Sequence, residues 1–278
     1  MLLLPGALLT KKEAEMASMF SGKVVLVGGA SRGLGYACAR AFAREGARLA
    51  IVSRDGEAID AAAASIAAET GSETVAVAAD LSTATGVKRF VDAALRRFGG
   101  IDVLVTNTGG PPAGPFAAHD DAAWQEAFDG LLMSVVRLCR AVVPIMRRRG
   151  GGRIIHNASF TVKEPEPGLV LSNALRAAVV AVSKTLAREL AGDGIAVNCV
   201  APGPFATERM RQLIDDAAAR SKRSAEEVRD AWIDRVPGRR LLSPEELAEV
   251  VLFLSSKRAS GITGAVVPVD GGLVRSLL

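Results

Sequence analysis

From Lys23 onward the chain alternates short, continuous apolar runs with helix-patterned segments, and few chain organisations satisfy that order. The runs are KVVLVGG, LAIVSR, TVAVAAD, IDVLVTN, RIIHNAS, IAVNCVAP and AVVPVDG. Strands buried on both faces read as unbroken apolar stretches, whereas half-exposed strands alternate apolar with polar. Between the runs, segments 33–45, 55–70, 82–98, 119–149, 172–191 and 243–255 carry helical spacing. Strict strand–helix alternation predicts a doubly wound parallel sheet of about seven strands with helices on both faces. No linker-like composition interrupts it, so the reading is one α/β domain over 21–278. An apolar content of 49% in 278 residues is ample for such a core.

Composition excludes several function classes. No stretch is expected to supply the roughly 20 apolar residues that span a bilayer. The N-terminal MLLLPGALLT lacks a preceding basic segment and an evident small-residue cleavage site, so residues 1–20 read as a flexible extension, or as a mis-assigned start with Met16 or Met19 as the true one. Cys38, Cys139 and Cys199 are widely spaced within apolar segments. That pattern suits core thiols in a reducing, cytoplasmic setting, with no metal-ligand spacing. The net charge of +4 is modest, and Arg147, Arg148 and Arg149 close a helix, where positive charge is favourable. With aromatics at 4% there is no stacking platform for nucleic acid.

The segment Val24-Val25-Leu26-Val27-Gly28-Gly29-Ala30-Ser31-Arg32-Gly33-Leu34-Gly35 runs from strand through glycines into helix. Such a turn lets a backbone approach a pyrophosphate closely and presents free N–H groups at the helix N-terminus. The expected ligand is therefore a dinucleotide, held on a single-domain Rossmann fold. The end of the second strand bears on which one. An acid there serves the ribose hydroxyl of NAD(H), and arginine serves the 2′-phosphate of NADP(H). Ser53-Arg54-Asp55 stands at that place, with Arg32 inside the glycine turn. Two guanidinium groups suit a dianionic phosphate, which favours NADP(H). Asp55 leaves NAD(H) open if the strand ends later.

The spacing Gly29-x-x-x-Gly33-x-Gly35 resembles the signature of the short-chain dehydrogenase/reductase family. Further matches extend over about residues 22–272: Asp80-Leu81, Asn107-Thr108-Gly109, Val197 through Gly203, Ser243-Pro244-Glu245-Glu246, Thr263-Gly264 and Asp270-Gly271-Gly272. The resemblance implies cofactor contacts at Gly29, Ser31, Arg32, Gly33, Leu34, Gly35, Arg54, Asp80, Leu81, Asn107, Gly109, Arg176, Pro202, Gly203, Phe205 and Thr207. It also implies a homo-oligomer, a dimer or tetramer, paired through segments 119–149 and 172–191. Leu131, Val135, Leu138, Val179 and Val182 there suit pairing and core packing equally.

The same resemblance implies a catalytic set from which this chain departs. The family places a Ser at the end of the fifth strand, a Tyr thirteen residues on and a Lys four further. Here Ser159 is present, but Ser172 holds the Tyr position, Arg176 the Lys position and Leu131 that of a supporting Asn. The only tyrosine, Tyr36, lies beside the glycine turn. A serine hydroxyl is far less acidic than a phenol, and an arginine stays protonated. Lys163 is the candidate for proton transfer, four residues past Ser159; an exposed loop lysine paired with Glu164 is the alternative. His156 should face the core by strand alternation, and His119 should lie on the surface.

These residues predict an NADP(H)-dependent oxidoreductase acting on a small carbonyl or alcohol, with Ser159, Lys163, Ser172 and Arg176 at the reacting end. The altered set keeps two alternatives: a catalytically silent NADP(H)-binding sensor or assembly protein, and a non-redox enzyme on the same fold. Residues 205–240 are charged helical material placed to form a substrate lid, or else a solvated helical pair. The overall pattern resembles a divergent, β-ketoacyl-reductase-like branch of the family.

Overall fold

The structure, a computed structural model, describes residues 18–277. The N-terminal apolar run and Met16 lie outside them. Seven parallel strands form one sheet in the order β3-β2-β1-β4-β5-β6-β7, the expected architecture. They are β1 (Val24–Gly28), β2 (Arg48–Ser53), β3 (Thr74–Ala78), β4 (Val103–Thr106), β5 (Gly152–Asn157), β6 (Ile195–Pro202) and β7 (Val266–Val269). Every residue of β1, β4 and β6 is buried, which is why these strands read as uninterrupted apolar runs.

The helices are α1 (Gly33–Arg44), α2 (Gly56–Thr70), α3 (Ala84–Phe98), α4 (Asp121–Ala127), α5 (Ser134–Arg148), α6 (Val170–Glu189), α7 (Glu208–Ser221), α8 (Ala225–Arg235) and α9 (Pro244–Ser255). Two apolar layers form, one on each face of the sheet. Phe42, Ile51, Ile59 and Val251 anchor one, and Phe90, Leu104, Leu138 and Ile154 the other. Phe20 belongs to the first layer, edge-on to Phe42 at 4.8 Å between ring centres. The packed structure thus already includes Phe20.

Four expectations are corrected or sharpened. Segment 119–149 is not one helix: α4 gives way to a π-helical turn over Phe128–Met133 before α5 begins. The Ser134 hydroxyl donates to the Gly130 carbonyl at 2.7 Å, competing with the regular helical pattern beside a residue of weak helix propensity. The turn places Leu131 inside, 5% exposed. Second, Leu131, Val135, Leu138 and Val179 are all buried within the protomer, as core packing requires, while Val182 is partly exposed. Third, one helix is long and apolar enough to cross a membrane by length and composition: α6, with a mean hydropathy of 1.3. It packs on β6 with Val179 and Ala187 in the layer that holds Ile195 and Val197, while Leu171 and Leu175 pack against Ala127 and Leu131. Fourth, His119 is not a free surface residue. Its ring packs against Gly114, and its Nε2 is buried without a hydrogen-bond partner.

The three thiols are buried and free, and burial pushes those of Cys38 and Cys139 up to about 12. They are inert core groups at neutral pH.

Candidate active site

In a parallel sheet all strands point one way, so the loops beyond their carboxyl ends share one rim. The glycine turn leaves β1 at this rim. Gly29 and Gly33 have φ of +55° and +59°, the left-handed region that side chains disfavour. A Cβ on Gly35 would sit 2.3 Å from the Gly29 carbonyl oxygen, so only glycine lets α1 pack this closely on the turn. Arg32, at the N-cap of α1, makes no side-chain cap bond, and the first turn contains no acid. The N–H groups of Gly33, Leu34 and Gly35 therefore face the rim at the positive end of the helix dipole. These features fit a pyrophosphate.

At the next strand, β2 ends at Ser53, and Arg54 projects exposed beyond it. The Ser53 hydroxyl donates to the Asp55 carbonyl at 2.7 Å. The Asp55 carboxylate caps α2, accepting the Ala58 N–H at 3.0 Å. Asp55 is thus engaged as a helix cap and does not stand at the strand end. After β3, the Asp80 carboxylate accepts the Ser82 N–H at 2.9 Å, and Leu81 is 7% exposed within the core. Arg32 pairs with Glu208 of α7 at 2.8 Å, in an exposed contact.

Asn107 ties the turn to the middle of the sheet. Its Nδ2 donates to the carbonyls of Gly28 and Gly29, both at 3.2 Å, while its Oδ1 accepts from Asn157 Nδ2 at 2.6 Å. Gly109 follows with open space beside its Cα. On the far side, Thr207 caps α7 by accepting the Met210 N–H at 3.3 Å. Its methyl group lies 3.7 Å from the point where a Gly33 Cβ would stand. Pro202 and Phe205 are buried, so Phe205 has only its main chain to offer a ligand. Gly203 packs against Asp270, leaving no room for a Cβ.

Beyond β5 the Ser159 hydroxyl accepts the Thr161 N–H at 3.2 Å, which leaves its own proton free to donate outward. The short helical turn Phe160–Val162 that follows packs on α6 and ends at Lys163, which is partly exposed. Glu164 is not its partner: that carboxylate accepts the Arg275 N–H at 3.1 Å. On α6, Ser172 is 8% exposed and Arg176 follows one turn later on the same face. The Arg176 Nη1 donates to the Asn157 carbonyl at 2.7 Å, at the very end of β5. Burial lowers its pKa to about 10, with the neighbouring Arg209 charge contributing. It remains a cation at neutral pH.

His156 is fully buried, hydrogen-bonded through Nδ1 to Thr106 Oγ1 at 2.9 Å. Burial holds its pKa down to about 4. It is a neutral core residue, as strand alternation predicted.

The comparisons with known proteins agree with this geometry. Residues 29–274 match a family model described as Enoyl-(Acyl carrier protein) reductase. The chain is 36% identical to Dehydrogenase/reductase SDR family member 4 of Oryctolagus cuniculus, over 91% of this chain and 94% of that one. It is a short-chain dehydrogenase/reductase. It is also 32% identical to the 3-oxoacyl-(acyl-carrier-protein) reductase of Chlamydia trachomatis, over 93% of this chain and all of that protein. Among solved structures, L-sorbose reductase from Gluconobacter frateurii, complexed with NADPH and L-sorbose, superposes with a TM-score of 0.88. That match has 37% identity and covers 94% of this chain and 100% of that one. This short-chain dehydrogenase/reductase is accordingly an oxidoreductase of that class.

Sequence reasoning missed two groups that the fold brings to the rim. Asn157 joins Asn107 to Arg176 through its side chain and its carbonyl. Its strand position, in register with Ser159, was the available signal. Arg209 donates to the Pro111 carbonyl, a contact across 98 residues for which the sequence offers no local sign. A cleft of about 200 Å³ lies further out, lined by Ala113, Leu169, Leu213, Arg220, Trp232 and Arg235.

Proposed function

We propose that this protein is an NADP(H)-dependent oxidoreductase that interconverts a small carbonyl compound and its alcohol. The observation that carries the reading is the convergence of an uncapped α1 N-terminus, Ser159 and the Arg176 cation at the carboxyl ends of β1 and β5. NADPH, when bound, supplies the hydride. The chain's own residues do the rest. Gly29, Ser31, Gly33, Leu34 and Gly35 receive the pyrophosphate through backbone N–H groups. Arg32 and Arg54 take the 2′-phosphate, a reading supported by the engagement of Asp55 as the α2 cap. Asp80 and Leu81 border the adenine, and Asn107 and Gly109 support the ribose nearest the reaction. Pro202, Gly203, Phe205 and Thr207 close over the nicotinamide end.

Ser159 hydrogen-bonds through its O–H to the substrate oxygen and polarises the carbonyl, keeping its proton. Arg176 holds ribose hydroxyls and contributes fixed positive charge, but it moves no proton. In the reducing direction, the Lys163 ammonium gives a proton to the substrate oxygen as hydride reaches the carbon. The amine is then reprotonated from water, and the oxidative direction reverses the transfer. Ser172, buried in the first turn of α6, stands where a larger residue would reach the substrate. Helices α7 and α8 serve as the lid. The domain is a single unit from residue 21 to 278, cytoplasmic, and works as a dimer or tetramer.

The burial of Ser172 favours one second reading, a chain that binds NADP(H) without turnover. Titration with NADPH and NADH by fluorescence, followed by ketones, quinones and β-ketoacyl thioesters, separates the two. Tight NADPH binding with turnover supports the enzyme, tight binding without turnover on the panel favours the silent protein, and no binding removes both.

A further inference from the structure

Arg176 and Arg209 are two guanidinium groups, both partly buried, that come from different helices to the loops beyond one end of the sheet. Arg176 comes from α6 and rests on the carbonyl of Asn157, the last residue of β5. Arg209 comes from the first turn of α7 and reaches the loop that follows β4. It donates to the Pro111 carbonyl, and its Nε lies 2.6 Å from where a Cβ would stand on Gly110. A side chain at that position would displace the guanidinium from its present place. Strands β4 and β5 are neighbours, with Thr106 opposite His156 in the final rung, and the Arg209 charge acts on Arg176.

Neither cation forms an ion pair with a carboxylate among the described residues. Elsewhere such pairs are common: Arg235 grips Glu166 with two bonds of 3.0 and 2.6 Å, and Arg240 grips Glu246 at 2.7 and 2.6 Å. Among the described residues, the carboxylate that acts on Arg209 is that of Asp216, two turns further along α7 and beyond pairing distance. Two desolvated like charges side by side oppose folding unless something anionic offsets them. Each is held by one carbonyl, leaving other N–H donors of its fork unused. Paired, planar, partly buried donors without a counter-ion suit an oxyanion.

The position of the pair separates substrate from cofactor. The sheet order places β2, with Arg54, on the other side of β1 from β4 and β5. Thr207 and Glu208 lie against the glycine turn over β1, but the Arg209 guanidinium reaches away from it, to Pro111 and toward Arg176. We propose that Arg209, beside the Arg176 cation whose fork also serves the ribose, forms a carboxylate subsite, and that the carbonyl substrate is an oxo acid whose carboxylate lies within a few bonds of the reacting carbon. The inference rests on the reaction assigned above, but the subsite itself is a binding property and can be measured without turnover.

Calorimetric titration of the full-length protein, with and without NADPH, tests it using pyruvate, acetoacetate and levulinate against their methyl esters. At least one acid should bind about tenfold or more tightly than its ester, the equivalent of about 1.4 kcal/mol. Arg209→Gln should abolish that preference and leave NADPH affinity unchanged, while Arg209→Lys, which keeps the charge, should retain part of it. Circular dichroism of both variants should match the parent. Acids that bind no better than esters, with or without NADPH, overturn the proposal. So does an Arg209→Gln protein that keeps the acid preference, or one that loses NADPH affinity instead. Inorganic phosphate that binds where no oxo acid gains over its ester also overturns it. Failure of NADPH to bind would instead count against the cofactor reading, because the acid–ester comparison without NADPH stands by itself.

Discussion

Asn157 Nδ2 donates to Asn107 Oδ1 at 2.6 Å, and that short bond couples the two halves of the site. Asn107 spends its own donors on the Gly28 and Gly29 carbonyls, while the Asn157 carbonyl receives Arg176. The chain of contacts runs from the cofactor turn through β4 and β5 to the α6 cation. It fixes the rim without any charged pair. Removing one amide leaves the remaining polar groups short of partners in a partly buried place, which is costlier than the net value of the bond itself.

Asn107→Ala should therefore cost about 1–3 kcal/mol in stability, measured by urea denaturation, and weaken NADPH binding by loosening the glycine turn. Asn157→Ala should cost a similar amount. Because the two share one bond, the double variant should lose clearly less than the sum of the singles. Strict additivity would show that the coupling is not energetic.

Arg32 offers a test of cofactor choice. In this structure it pairs with Glu208 at an exposed site, a contact worth at most about 1 kcal/mol. A 2′-phosphate is a stronger partner, so Arg32 is expected to exchange Glu208 for it. Arg32→Ala combined with Arg54→Ala should weaken NADPH binding by about tenfold or more and leave NADH nearly unchanged, since charge-assisted bonds contribute roughly 1.5–3 kcal/mol each. Glu208→Gln should tighten NADPH binding slightly. Equal losses for both cofactors in the double-arginine variant would place the phosphate elsewhere.

The fold was legible because burial writes itself into composition: all seven strands were visible as apolar runs, and α1, α2, α3 and α9 fell within two residues of their expected limits. The π-turn at Phe128–Met133 was not, because it arises from a competing Ser134–Gly130 bond inside an otherwise regular apolar period. Position-specific parts of the site, such as the glycine turn and Ser159, were legible because their chemistry depends on local spacing. Arg209 was invisible for the opposite reason. Its meaning comes from Gly110 and Arg176, which are near it only in space.

Lys163 carries the proposed proton transfer. Lys163→Ala should lower kcat by about 10²–10⁴, the usual value of general acid–base help, and leave NADPH binding unchanged. Lys163→Arg keeps the charge but cannot release a proton at neutral pH, so it should be nearly as slow. Rates unaffected by either change would remove Lys163 from the reaction and leave Ser159 with solvent as the proton source.

His156 makes stability depend on pH in a definite direction. Its folded pKa is held near 4 by burial, whereas in the unfolded chain it titrates near 6.5. Between those values the unfolded state binds the extra proton, so stability falls as pH drops. The loss begins below about pH 6.5, approaches about 1.4 kcal/mol per pH unit, and levels off near pH 4. Above pH 7 the residue contributes no slope. His156→Gln keeps a side chain able to bond Thr106 while removing the titration, so its urea-derived stability should decline less steeply than the parent's across that window. Parallel curves for the two proteins would mean that protonation of His156 is not what weakens the fold in mild acid.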